Sequence, residues 1–214
     1  MPRARLVIVG AGGHGRVMAD VVREQGEADL VGFLDDDDAL VGVAIDGAVV
    51  LGSAQDVALI DRLDASHFLP AIGSNRIRAE VADRLAALGL KPWSAVHPAT
   101  TVSRHATLGE GAQVVAGVVI NPGTMVGRHV ILNTACSIDH DCRLGDYVFV
   151  GPGARLGGAV EVGEGAFIGM GATVIQCRSV GAGATVGAGA VVIRDVPGGE
   201  TVMGCPAQPK SRNV

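Results

Sequence analysis

At 214 residues, with 48% hydrophobic and only 3% aromatic residues, the chain has room for one domain or two small ones and ample material for a core that admits few rings. Its formal net charge of −5, with no basic block and no aromatic–basic interleaving, argues against nucleic-acid binding, and no apolar run approaches membrane-spanning length. The opening MPRARLVIVGAGG lacks the apolar stretch and cleavage site of a signal peptide, and the four cysteines are too scattered for a disulfide framework or a zinc site; a cytoplasmic protein without metal is expected.

Residues 1–90 read as a small α/β domain. RLVIVG, residues 5–10, is a short apolar strand, followed by Gly10-Ala-Gly12-Gly13-His14-Gly15 and a helix over 16–25 that Gly26 stops. A second strand over 30–34 ends in four aspartates, Asp35 to Asp38. Ser53 with Asp56 looks like a capping box opening a helix through Ile60. Residues 67–73 form another strand. Residues 74–88 are amphipathic, with Ile77, Val81, Leu85 and Leu88 on the apolar side and Gly89 as the stop. Strand, glycine loop, helix, strand is the start of a parallel α/β sheet. The glycine run matches GxGxxG, and Asp35 follows about 20 residues on, as in dinucleotide sites. Ninety residues is short for two mononucleotide halves, so half a Rossmann unit holding a nucleotide or nucleotide sugar is expected; a tight turn without ligand is the alternative. Pro92 and Pro98 bracket the passage into the second domain, 91–214.

From Val102 to Val192 every sixth residue is aliphatic, and Gly often comes next. Four positions after the aliphatic residue stands a small or β-branched one, such as Ala112, Thr124, Cys136, Cys142 and Ala154, with Arg178 as the misfit. Six is neither a helical nor a plain strand period; it is a solenoid period, one flat side of a coil per unit. One coil cannot bury its own apolar side, so coils must stack. Cys136 and Cys142 fall in the small slot and read as core packing. The segment from Gly198 to Lys210 is rich in Gly and Pro and is expected to leave the solenoid.

This period resembles the hexapeptide-repeat acyltransferases, whose units form a left-handed parallel β-helix with three units per coil. With the α/β domain in front, the chain is similar to the transferases that acetylate nucleotide-linked amino sugars, with relatives that O-acetylate sialic acid. The resemblance rests on VGAGGHG, the Asp35-Asp36 pair, the run IGSNRIR ending at Arg78, Asn133-Thr134, Ile138-Asp-His-Asp-Cys142 and the tail MGCPA. It implies a homotrimer, with acetyl-CoA between subunits. It implies substrate contacts from Gly10, Gly12, Gly13, His14, Gly15, Asp35, Asp36, Ser74, Asn75, Arg78 and Asn133. For CoA the candidates are Gly151, Gly158, Gly169, Pro206, Ala207 and Lys210.

Acetyl transfer to an amine needs the amine neutral. A neutral His can take its proton, and a neighbouring carboxylate can hold the tautomer. Asp139-His140-Asp141 supplies both, and the resemblance makes His140 the base and Asp141 its partner, a place many relatives fill with Glu. A solvent-facing His between two acids is the bland alternative. With three units per coil, His140 should stack between Pro122 and Gly158, and Gly158 should leave room for a ligand. His97 is expected to be structural, and His105 and His129 to be solvated turn residues. Some relatives carry a second His nine residues after the base; here that position is Phe149. N-acetylation of a UDP- or GDP-linked amino sugar, for surface glycan or O-antigen synthesis, is the first reading. O-acetylation of sialic acid or another sugar hydroxyl, and a non-catalytic nucleotide-sensing scaffold, are the alternatives.

Overall fold

The computed structural model describes residues 3–210. The chain divides into two compact units, the first ending at Pro98 and the second beginning at Ala99. Among the described residues no helix is long and apolar enough to cross a membrane.

The first unit is built on β1 (Ala4–Val9), α1 (Gly13–Gln25), β2 (Ala28–Leu34), β3 (Ala44–Ile45), β4 (Ala48–Gly52), α2 (Val57–Arg62), β5 (His67–Pro70), α3 (Asn75–Ala87) and β6 (Lys91–Pro92). The sheet order is β3-β4-β2-β1-β5-β6, parallel except for the β3–β4 hairpin. β1 is central, and Leu6, Val7 and Ile8 are fully buried, which is why it reads as an unbroken apolar run. β6 places the stretch after Leu90 on the edge of this sheet.

Three expectations for this unit are corrected. The helix after β4 starts at Val57 with Asp56 as its N-cap, whose side chain accepts the Leu59 N–H at 3.0 Å; Ser53 instead bonds Asp36, so there is no capping box. The buried face of α3 is Arg78, Val81, Ala82 and Leu85, while Ile77 faces solvent. The strand expected to run to Gly73 stops at Pro70, where the backbone turns towards the Ser74 cap of α3.

The second unit is a three-sided parallel β-helix of two-residue strands. Up to Val192, pairing runs between residues eighteen apart: Val102, Ile120, Ile138, Leu156, Val174 and Val192 on one face. Leu108 to Val180 make the second face, and Val114 to Val186 the third. The period of six is thus one side of the prism, with the aliphatic residue pointing inward and the small slot, from Ala112 to Val196, filling the corners. Glycines such as Gly151 and Gly169 stand where a Cβ would strike the next coil, 2.7 Å from the Met170 nitrogen and 2.6 Å from the Ala188 nitrogen.

Two further expectations fail here. The tail does not leave the solenoid: Thr201–Met203 pairs in parallel with Thr185–Val186, burying Val202 under Val186, and Gln208–Pro209 doubles back on it. The stretch from Val192 to Val196 is two residues short of a full side, so Val196 bridges Val180 and Val202 comes into register with Val186, and the last strand covers what would be an open edge. His129 is not solvated but 6% exposed, stacked on Tyr147 one coil away at 5.3 Å between ring centroids.

Candidate active site

The corner between strands Ser137–Ile138 and Arg143–Leu144 carries Asp139, His140 and Asp141. Asp141 takes a left-handed backbone conformation (φ 60°), which Asp tolerates better than most residues. His140 Nδ1 lies 2.9 Å from Asp141 Oδ2. An ionised carboxylate can only accept, so Nδ1 carries the proton, and in the neutral ring Nε2 keeps a lone pair able to take one. The Asp141 hydrogen bond and then the Asp139 charge hold the imidazole above its ordinary pKa range. The pair is open, with side chains 59% and 68% exposed.

Neighbouring coils shape this corner. Gly158 lies against the imidazole, where a Cβ would stand 2.6 Å from Cε1 and Nε2; on Gly123 a Cβ would stand 2.3 Å from Asp141 Oδ1. The room at Gly158 is therefore filled by the His140 ring itself. Asp139 Oδ1 accepts the His140 N–H at 2.8 Å and the Asn121 amide at 2.9 Å, and these two bonds, the backbone one foremost, hold its carboxyl below the usual range. Thr124 bonds the same corner from the core. Asn121 and Thr124 were missed as site residues, and Asp139 was placed at the site without a role of its own. The one visible signal was a hydroxyl in a slot otherwise filled by Ala, Val or Cys, Arg178 apart.

The other candidates fall into separate places. Asn133 sits on the adjoining corner, its Oδ1 accepting the Thr134 N–H at 2.8 Å. Gly151 and Gly169 are buried between coils. In the tail Ala207 donates to the Val191 carbonyl and Lys210 to that of Thr201, both at 2.8 Å, while Pro206 and Lys210 are exposed. Phe149, at the place of the second family His, stacks on Phe167 with centroids 4.6 Å apart. A concavity of about 500 Å³ runs along the second face past Met125, Arg143 and Glu161, without including His140.

In the α/β unit the candidates gather at the carboxyl ends of β1, β2 and β5, where open parallel sheets bind ligands. The loop glycines divide into two kinds. Gly10 (φ 100°) and Gly15 are required by the fold itself, since a Cβ would meet the Ala71 carbonyl oxygen at 2.8 Å and that of Gly10 at 1.9 Å. Gly12 and Gly13 face open space at the start of α1, next to half-buried His14. Asp35 ties the loop down, accepting Ala11 N–H at 2.7 Å and Asp37 N–H at 3.0 Å. Asp36 accepts the Ser53 hydroxyl at 2.6 Å, which foremost lowers its pKa, and the Gln55 amide at 3.2 Å. Ser74 caps α3. Arg78, fully buried, donates to the Ile72 carbonyl and to Asn75 Oδ1, each at 2.9 Å, and so braces the loop before α3.

Known proteins share this arrangement over nearly the whole chain. Residues 5–85 match the family described as the PglD N-terminal domain. A GDP-perosamine N-acetyltransferase of Escherichia coli O157:H7 is 34% identical over 158 residues, 72% of this chain and 70% of that protein. The chain belongs to this family of nucleotide-sugar N-acetyltransferases. Among solved structures, the acetyltransferase domain of PglB from Neisseria gonorrhoeae FA1090, in complex with acetyl-coenzyme A, superposes with a TM-score of 0.89 at 39% identity, covering 98% of this chain and all of that one. A GDP-perosamine N-acetyltransferase from Caulobacter crescentus, with one histidine replaced by alanine and CoA and GDP-perosamine bound, gives a TM-score of 0.92 at 37% identity and 98% coverage of both chains. The second unit is accordingly the left-handed β-helix of these acetyltransferases.

Proposed function

We propose that the chain moves the acetyl group of acetyl-CoA to the amine of a nucleotide-linked 4-amino sugar, UDP- or GDP-linked, for surface glycan synthesis in the cytoplasm, with His140 as the base and Asp141 as its partner. The observation that carries this reading is the His140–Asp141 pair, with Nδ1 engaged, the Nε2 lone pair left to take a proton and the side chain 59% exposed. The amine nitrogen forms a bond to the thioester carbonyl carbon while Nε2 takes its proton. The carbon–sulfur bond then breaks, and the imidazolium returns that proton to the departing CoA sulfur. Asp141 stabilises the charged ring in between.

Two features favour an amine on a nucleotide sugar over a free sugar hydroxyl. Gly12 and Gly13 leave a helix start open to a close-approaching diphosphate, and two of the relatives above are named for GDP-perosamine. The exposure of His140 favours a homotrimer, in which a neighbouring subunit closes the site over acetyl-CoA. Asn133 and the tail residues Pro206, Ala207 and Lys210 are the proposed further contacts.

The test is thiol release from acetyl-CoA against amino sugars with and without their nucleotide. Release with GDP-perosamine or a UDP-linked 4-amino sugar, and none with free sugars or sialic acid, is expected. Release with sialic acid alone would transfer the assignment to O-acetylation.

A further inference from the structure

We infer that Thr124 is a positioning residue for His140, acting through the backbone of the corner that carries it; this rests on the reading of His140 as the base. Thr124 is fully buried in the small slot of its unit, where Ala, Val or Cys otherwise stands, Arg178 apart. At several other corners the small residue closes its own turn, its N–H donating to the carbonyl three residues back. Ala106 does so to Ser103 at 3.0 Å, and Cys136 to Asn133, Ala154 to Gly151 and Ala172 to Gly169 at 3.1 Å. At the His140 corner the Thr124 hydroxyl stands between the two groups instead. It donates to the Asp139 carbonyl at 2.6 Å and accepts the Cys142 N–H at 3.2 Å. The two residues between those anchored groups are His140 and Asp141.

Cys142 repeats the relationship one coil on. Its thiol donates to the Gly157 carbonyl at 3.2 Å, and Gly157 precedes the glycine against which the imidazole lies. Polar core groups thus tie successive corners of this edge together, whereas the edge through Asn133, Gly151 and Gly169 closes each turn on itself. The exposed imidazole has no close side-chain cage, so its place depends on this backbone anchoring together with the Asp139 bond to the His140 N–H. A hydroxyl supplies one donor and two acceptor sites, and Val in the same volume supplies neither.

The experiment compares Thr124→Val, Thr124→Ala and Thr124→Ser with the parent protein. Val and Ala fill this slot at other corners, so the coil accepts them. Turnover is measured with acetyl-CoA and either GDP-perosamine or a UDP-linked 4-amino sugar. Thr124→Val and Thr124→Ala are expected to lower kcat about 10- to 100-fold, the scale of a small misplacement of a reacting group, with KM for both substrates unchanged; Thr124→Ser restores most of it. A substrate-free readout is the His140 titration followed by NMR. The charged groups facing the ring are Asp139 and Asp141; Pro122 and Gly158, on the coils either side, carry none. Thr124→Val should lower the midpoint by loosening the Asp141 contact, and Thr124→Ser should leave it in place. Parent-like kcat and midpoint in Thr124→Val, or equal losses in the Val and Ser variants, would overturn the inference. His140→Asn run alongside separates the two readings. If it is inactive while Thr124→Val is parent-like, the Thr124 inference alone fails; if it is active, the base reading fails and takes the inference with it.

Discussion

Gly158 and His140, one coil apart, are so closely stacked that a Cβ on the glycine would stand 2.6 Å from both Cε1 and Nε2 of the ring. The glycine is therefore a condition on where the base can lie. Its backbone φ is outside the left-handed region, so an alanine there meets the ring and not a conformational barrier.

Gly158→Ala should accordingly displace the imidazole and leave the coil standing. A loss of about 100-fold in kcat is the scale expected of roughly 1 Å of misplacement, with a melting temperature close to the parent's. Steady-state kinetics with a thermal melt checks it; unaltered kcat would mean that the ring does not work from this position.

Asp141→Asn should lower kcat and move the acid limb of the pH–rate profile to lower pH. The sign follows from the pair: the Asp141 hydrogen bond foremost, and the Asp139 charge after it, hold His140 above the ordinary imidazole range. The base form appears as pH rises through that raised value. Removing the Asp141 charge lowers the value, so the neutral imidazole survives to more acid conditions, while the tautomer and the developing imidazolium lose their partner. A limb that stays put or moves upward would contradict this.

The α/β unit should bind a nucleoside diphosphate and not NADH. GDP or UDP at a hundred times its dissociation constant should stabilise the protein by about 2.7 kcal/mol, seen as a higher melting temperature. Saturable NADH fluorescence would revive a dinucleotide site. Gly12 and Gly13 are the places to block it: with nothing within 4 Å of either added Cβ, a bulky residue there leaves the protein's own packing intact and obstructs the ligand.

Cutting the chain after Val196 should destabilise the β-helix, because Val202 then no longer covers Val186 and the strand Thr185–Val186 becomes an edge. Burial of one such side chain is worth about 1.5–3 kcal/mol. Chemical denaturation checks the loss, and an unchanged midpoint would show the last strand to be ornamental.

The solenoid was legible because its period is enforced at every coil: one aliphatic residue per side, one small residue per corner. The αL caps and the Gly10 to Gly15 run were legible because glycine is needed at particular backbone angles or close approaches. What escaped depends on neighbours eighteen residues away. Burial of His129 follows from Tyr147 stacking on it, and the role of Thr124 follows from a turn lying one coil on. The final strand escaped because Val196 and Val202 fall sixteen residues after Val180 and Val186, off the eighteen-residue spacing kept by the pairs up to Val192. Ser53 was misassigned for a similar reason, its hydroxyl being claimed by Asp36 from another strand end.

The central claim is that the His140 corner acetylates the amine of a nucleotide-linked sugar. The most direct measurement is mass spectrometry of GDP-perosamine and a UDP-linked 4-amino sugar after incubation with acetyl-CoA and the protein, beside His140→Asn. The account predicts that one of the two gains a single acetyl group on nitrogen, and that His140→Asn slows this by about 10²- to 10⁴-fold while still binding CoA. Acetylation at the parent rate by His140→Asn, or an acetyl group found on a hydroxyl, would contradict it.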